Sequence, residues 1–351
     1  EIGVHGRRAR TYGGLVAITP IDLADDALMS RMYAVVSAVR VFERPHFVSP
    51  PEASAIGDLR HVDEGESTHL WGIWEGDALV GFITAWLPLS DNTDTVWMEL
   101  DVHPGHRRRG HGTRAIETVV GFARANDRTR IVTEAHYPVD RADDHPYRLF
   151  AEHNGFRLGN TEMIRRLTLP VDPHLLARLG DGARAAYQGR YRVEAFTEVP
   201  RALWPSLCEC MNRVGTDAPT GEIDWEPETL TPERYGGYME LDRATGRVRL
   251  TAVAIDEASG EVVAFSELAL PPTITRAQQW GTLVRADHRG HRLGMAVKIA
   301  NLVALQELYP ERVDVTTGNA NDNEWMVSIN EQLGFRPLEL CPAFYRTLDP
   351  V

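Results

Sequence analysis

The sequence predicts an α+β fold built twice over, and three observations predict it. The string V-x-x-x-H-R-x-x-x-x-G runs from Val102 to Gly112 and again from Val284 to Gly294, 182 residues apart. About 25 residues upstream of each lies an alternating apolar stretch, starting at Ala78 and at Glu261. Downstream, Gly-Phe-Arg recurs at Gly155 and Gly334, 179 residues apart, and a last strand-like stretch follows each, Met163–Leu169 and Ala343–Leu348. Landmarks that keep their order and spacing mark an internal repeat. The repeat divides the chain into a first domain over 1–170, a linker helix over 171–190 and a second domain over 191–351.

Each copy is expected to open with a mainly helical region, including Asp22–Val41 and Val199–Arg213. Alternating apolar residues then predict three strands per copy: Leu70–Trp74, Leu79–Leu87 and Thr95–Val102, and Arg247–Ile255, Glu261–Leu268 and Gln278–Val284. Glu75-Gly76-Asp77 and Glu257-Ala258-Ser259-Gly260 supply the hairpin turns. A helix begins past each Arg/Gly cluster. Its apolar stripe is Ile116, Val119, Val120 and Ala123 in the first copy, and Ala296, Ile299, Ala300 and Val303 in the second. The two stripes are two residues out of phase. Further strands are expected at Thr129–Thr133 and Arg312–Thr316, each followed by another helix and the last strand.

Composition limits the possibilities. The 351 residues carry 37 basic and 50 acidic side chains, a net charge of −13, and 43% are apolar, enough to build cores. An acidic chain is a poor nucleic-acid binder, because counterion release on DNA requires a basic face. No apolar run approaches the roughly 18–20 residues of a membrane span. Three cysteines, Cys208, Cys210 and Cys341, cannot make a disulfide framework. With no charged-then-apolar leader pattern, the expected compartment is the cytoplasm. Residue 1 is Glu, which reads as a processed or artificial start.

A strand that runs into an Arg/Gly loop and then a helix suits a pyrophosphate. The first N–H groups of a helix lack intrahelical partners, and the macrodipole places partial positive charge there. Small residues admit a phosphate and arginines add fixed charge, although a solvated basic turn fits the same string. Nucleotide loops of the G-x-x-x-x-G-K-[ST] type are absent from the sequence. His103, His106 and His111 lack further ligands at metal spacing, so no metal is expected.

Leu100-Asp101-Val102-His103-Pro104 followed by Arg107-Arg108-Arg109-Gly110-His111-Gly112 resembles the signature of the GNAT superfamily of acyl-CoA-dependent N-acetyltransferases. The second copy reads Leu283-Val284, then Arg289-Gly290-His291-Arg292-Leu293-Gly294, with Arg292 where the first glycine is expected. A second family pattern is approximated by Asn323, Met326, Asn330, Gly334 and Phe335, and more loosely by Asp144, Ala151, Gly155 and Phe156. The resemblance implies two tandem GNAT-like domains, each a mixed, mostly antiparallel sheet flanked by helices. It implies that the pantetheine arm of acetyl-CoA lies along Leu100–Val102 and Leu283–Val284. The pyrophosphate would then sit on Arg107–Thr113 and Arg289–Gly294, with Asn323 also on the cofactor side.

Acyl transfer to an amine needs a group that removes the ammonium proton. The candidates are Glu99, which shares a strand face with Asp101, and Glu267, a carboxylate interrupting the apolar run around Val263 and Phe265. The tyrosine that many family members use as acid is replaced by Ala151 and Asn330, which leaves Tyr137 and Tyr147 as substitutes. The loops at Val48–Pro51 and Leu270–Thr273, with Trp86, Trp97 and Trp280, are candidate walls of the acceptor cleft. The expected activity is N-acetyl transfer to the primary amine of a small molecule in a ternary complex. The chain would act as a monomer or weak dimer, its repeat forming an internal pseudo-dimer. The alternatives are a CoA-binding sensor with one or both sites inactive, or an acyltransferase that uses a longer acyl-CoA.

Overall fold

The computed structural model describes residues 16–217, 219 and 221–349. The expectation about the chain's start lies outside these residues. The first half runs β1 (Val16–Pro20), α1 (Asp26–Arg40), α2 (Glu52–Arg60), β2 (Glu66–Glu75), β3 (Ala78–Pro88), β4 (Thr95–Val102), α3 (His111–Ala125), β5 (Arg130–Glu134), α4 (Pro146–His153) and β6 (Arg157–Thr168). The connecting helix is α5 (Pro173–Tyr187), started by Asp172, whose side chain accepts from the His174 N–H, and by Pro173 in its first turn. The second half runs β7 (Tyr191–Phe196), α6 (Trp204–Met211), α7 (Val214–Asp217), α8 (Pro232–Thr245), β8 (Val248–Asp256), β9 (Val262–Leu270), β10 (Arg276–Val284), α9 (Leu293–Leu308), β11 (Asp314–Ala320), α10 (Glu324–Leu333) and β12 (Arg336–Thr347). The edge strands β1 and β7, and the helices α2 and α8, are additions to the expected elements.

The described strands join one sheet in the order β1-β2-β3-β4-β5-β12-β6-β11-β10-β9-β8-β7. The halves are therefore not two separate sheets. The last strand of each half crosses into the other: β12 pairs with β5, β6 pairs with β11, and β12 and β6 lie antiparallel at the centre. Sequence periodicity could not reveal this exchange, because a strand's alternation is the same whichever neighbour it has.

The phase mismatch between the two long helices has a physical cause. The α9 positions matching the first copy's stripe are Lys298, Asn301, Leu302 and Leu305, and all are buried. Of the stripe read from sequence, Ala296 and Ile299 lie on another face and join one apolar cluster with Leu176 and Ala183 of α5, whereas Val303 is exposed. Helix α9 is thus covered on two sides, and polar residues on one of them obscured the pattern.

Candidate active site

The site begins where the sheet parts. Strands β4 and β5 run parallel and pair over Thr95–Met98 and Arg130–Thr133; beyond that, among the described strands, Glu99–Val102 pair with β3 and Glu134 with β12. Strand β10 leaves β11 in the same way after Gln279 and Thr317. It carries one more residue than β4, absorbed as a bulge between Gln279 and Thr282. Each half thus has an open strand edge leading to an Arg/Gly bend.

The two bends share one backbone. Left-handed conformations occur at Arg108 (φ 63°) and Gly110 (φ 84°), and at Gly290 (φ 86°) and Arg292 (φ 55°). The halves have exchanged glycine and arginine at these two positions, so Arg292 preserves the bend despite its departure from the expected pattern. Gly110 and Arg292 cap α3 and α9, leaving the first amides of both helices without intrahelical acceptors. A Cβ at Gly112 would lie 2.7 Å from the Phe150 ring, so glycine is what keeps this approach open.

The first bend opens into a cavity of about 1270 Å³ lined by Glu99–Val102, Arg107, Arg108 and Gly110–Thr113. Helix-terminal amides, a basic rim and an unpaired strand edge fit the diphosphate and the amide-bearing arm of an acyl-CoA. Arg107 donates to the Val102 carbonyl at 2.9 Å and lies over the rings of Phe42 and Tyr147. Arg109 binds Glu75 at 2.9 Å, and His106 binds the same carboxylate at 2.8 Å. These side chains therefore stiffen the bend, while Arg108 stands exposed on its rim. The His111 ring is buried, and burial lowers its pKa.

Across the parted strands lies an acidic wall. Glu99 pairs with Arg40 of α1. Burial pushes the pKa of Asp101 up to about 7, with Arg40 opposing and Glu99 reinforcing the shift. Glu134 is exposed to the cavity at the end of β5, and partial desolvation with the charge of Glu162 pushes it up to about 7 as well. Among the described residues no cation pairs with Glu134 or Glu162. The loops bearing Val48 and Pro50, and Pro271 and Pro272, wall the cavity as anticipated, and Trp280 joins them from the second half. Trp97 stacks on Trp225 at 5.0 Å, and with Trp86 it lines a separate cavity of about 480 Å³. Tyr147 lines the main cavity, whereas Tyr137 is buried and stacked on His145 at 4.6 Å.

The second half is built differently. None of Leu283, Val284, Arg289–Gly294 and Asn323 lines the large cavity. Arg289 donates to the Val284 carbonyl at 3.3 Å and pairs with Asp217 at 2.8 Å, while Arg190 reaches His291 at 3.1 Å. Asn323 caps α10 by accepting from the Met326 N–H. The expectation of Glu267 as a base meets a physical obstacle: its carboxylate is 3% exposed and held by Arg249 at 2.5 Å and Thr251 at 3.2 Å. Arg249 in turn binds Asp242 at 2.8 Å, so Glu267 is one end of a closed ionic network. Where the first half has Ile116, Val119 and Ala151, the second has Lys298, Asn301 and Asn330, all buried.

Sequence reading missed Glu134, His136, Glu162 and Glu339. Glu134 ends a strand and His136 follows in a loop, and nothing in their local pattern distinguishes them from surface residues. Glu339 and Cys341 reach this site only through the exchanged strand.

Residues 36–156 match the acetyltransferase (GNAT) family. No curated protein matches the chain in sequence. Among solved structures, a tandem GNAT protein from the clavulanic acid biosynthesis pathway superposes with a TM-score of 0.76 at 22% identity, over 96% of this chain and 100% of that one. A GCN5-related N-acetyltransferase from Sphaerobacter thermophilus gives 0.63 at 14% identity, over 95% and 96%. A GCN5-related glucosamine N-acetyltransferase region of a fungal multi-domain GH3 β-N-acetylglucosaminidase gives 0.66 at 13%, over 95% of this chain and 38% of that one. The family match is confined to residues 36–156, and the chain as a whole has the fold of the tandem GNAT protein. The fold is that of acyltransferases. Among the described residues no helix is long and apolar enough to cross a membrane.

Proposed function

We propose that this protein is an N-acetyltransferase that passes the acetyl group of acetyl-CoA, bound in the first half's cleft, directly to the primary amine of a small cationic molecule. The observation that carries the reading is the parted β4–β5 edge, which lies between a helix-terminal anion cradle and a wall of carboxylates in one cavity. Acetyl-CoA supplies the activated acyl group. The amides of His111–Thr113 receive its diphosphate, and the open edge of Glu99–Val102 aligns its arm and offers N–H groups to charge developing on the carbonyl oxygen. Glu134 takes the ammonium proton, while Glu99 and Asp101, steadied by Arg40, attract the cation. The reading extends to a cytoplasmic monomer or weak dimer that needs no metal.

The test is thiol release from acetyl-CoA with a panel of polyamines, aminoglycosides, amino acids and peptides. Turnover with one class supports the proposal; calorimetric binding of acetyl-CoA without turnover on any amine favours a sensor. Faster release from longer acyl-CoAs favours the other acyltransferase reading. Gly112→Glu is expected to abolish cofactor binding in the first half, because its side chain meets both Phe150 and the diphosphate.

A further inference from the structure

We propose that the second half completes the first half's active site through β12: Glu134, Cys341 and His136 form a proton relay, anchored by Glu339, that carries away the proton Glu134 takes from the acceptor amine. The inference rests on the acyl-transfer reading and adds to it the return of the base to its working state.

The exchanged strand creates the juxtaposition. Ala343 pairs with Glu134, and Leu340 bridges to Tyr137, which sets Cys341 beside the end of β5 and the loop after it. Cys341 Sγ lies 3.7 Å from Glu134 Oε2 and 3.5 Å from His136 Nε2. The other ring nitrogen, His136 Nδ1, is 3.2 Å from Glu339 Oε1. Glu339 is buried yet fixed by Arg44 at 2.5 and 2.8 Å and by His46 at 3.0 Å. Burial alone would raise its pKa, but hydrogen bonds from His136 and Arg44 and the guanidinium charge hold it down at about 2. Nδ1 is thus turned toward the Glu339 carboxylate, and Nε2 faces the thiol.

Glu134 is exposed in the cleft but is covered once the acceptor amine sits on it, so the reaction needs a second exit. An ammonium and a thioester become an amide and a thiol: a C–N bond forms, the C–S bond breaks, one nitrogen proton ends on the CoA sulfur and a second must leave. Glu134 receives that second proton, and among the described residues no cation pairs with it to restore its charge. It can pass the proton to Sγ as Cys341 gives its own to Nε2. The imidazolium so formed lies against Glu339, and its ring, 35% exposed, releases the proton to solvent. The sequence ends with every group as it began and requires no oxidant or reductant. The groups facing the imidazole and thiol are Glu134 from β5, Glu162 from β6, Glu339 from β12, and Arg44 and His46 from the segment after α1. Burial and these carboxylates raise the thiol's pKa well above its ordinary value, which suits a proton carrier and not a thiolate nucleophile.

The experiment compares Cys341→Ala, Cys341→Ser and the more exposed His136→Gln in the full chain, with steady-state kinetics across pH, calorimetry with CoA and intact-mass spectrometry. Cys341→Ala and His136→Gln are expected to lower kcat about 10- to 100-fold, with CoA affinity and the amine's KM unchanged. Cys341→Ser, which keeps a donor and acceptor, should recover most of the rate. Unchanged kcat in Cys341→Ala beside an active wild type overturns the relay and leaves acyl transfer standing. An acyl group trapped on Cys341 overturns it in favour of a covalent route. A wild type that binds CoA but acylates no amine overturns both readings.

Discussion

At the scale of single residues, burial divides the carboxylates into two kinds. Glu267 and Arg249 neutralise each other in a sealed network. Glu267→Ala is expected to destabilise the protein by about 3 kcal/mol in urea unfolding, with little change in turnover of the folded enzyme. Glu134 lines the cavity with its carboxyl pushed up to about 7, so kcat/KM should fall as pH drops below about 7, and Glu134→Gln should lose most activity at every pH. Glu66 offers a stability test away from the reaction. Burial and the charge of Asp63 raise its pKa from 4.5 to about 7, so the folded state holds a proton that the unfolded state has released. Its contribution is therefore lost as pH rises from 4.5 to about 7. Glu66→Gln should stabilise the protein at pH 8 by up to about 3 kcal/mol and give no gain at pH 4, as read by paired denaturation curves.

Elements explain what sequence could and could not reveal. Strand β4 was legible to its ends because Val96, Met98 and Leu100 alternate with Thr95, Trp97, Glu99 and Asp101, and the Arg/Gly bend announced itself twice. The helix facing was not legible for α9, because Lys298 and Asn301 occupy its sheet-facing side while α5 covers the apolar side that was visible. Likewise Glu267 attracted attention as a charge in an apolar run, but only the fold shows Arg249 closing over it. The bends carry a prediction at this scale. Arg292 adopts a left-handed conformation that costs a side-chain-bearing residue about 1 kcal/mol, so Arg292→Gly should raise stability by about 0.5–1 kcal/mol. A higher urea midpoint with unchanged slope would show it.

For the whole molecule, the exchange of β6 and β12 makes two repeats into one folding unit. The repeat itself was readable from residue spacing. The spatial crossing was not, because pairing partners leave no periodic mark. A chain ending at residue 190 would leave β5 without β12 and β6 without either neighbour, and is expected to stay unfolded or aggregate. The full chain should unfold in one transition, with tryptophan fluorescence and far-ultraviolet circular dichroism superimposed; two separated transitions would mean the halves are independent. The same crossing delivers Glu339 and Cys341 to a cleft built mostly by the other half, which ties the proposed chemistry to the topology.

A crystal structure with bound CoA tests the central claim most directly. The account predicts the diphosphate on the amides of His111–Thr113, the arm between β4 and β5, and the sulfur facing Glu134. CoA bound elsewhere, or a β4–β5 edge closed and empty at saturating CoA, would contradict it.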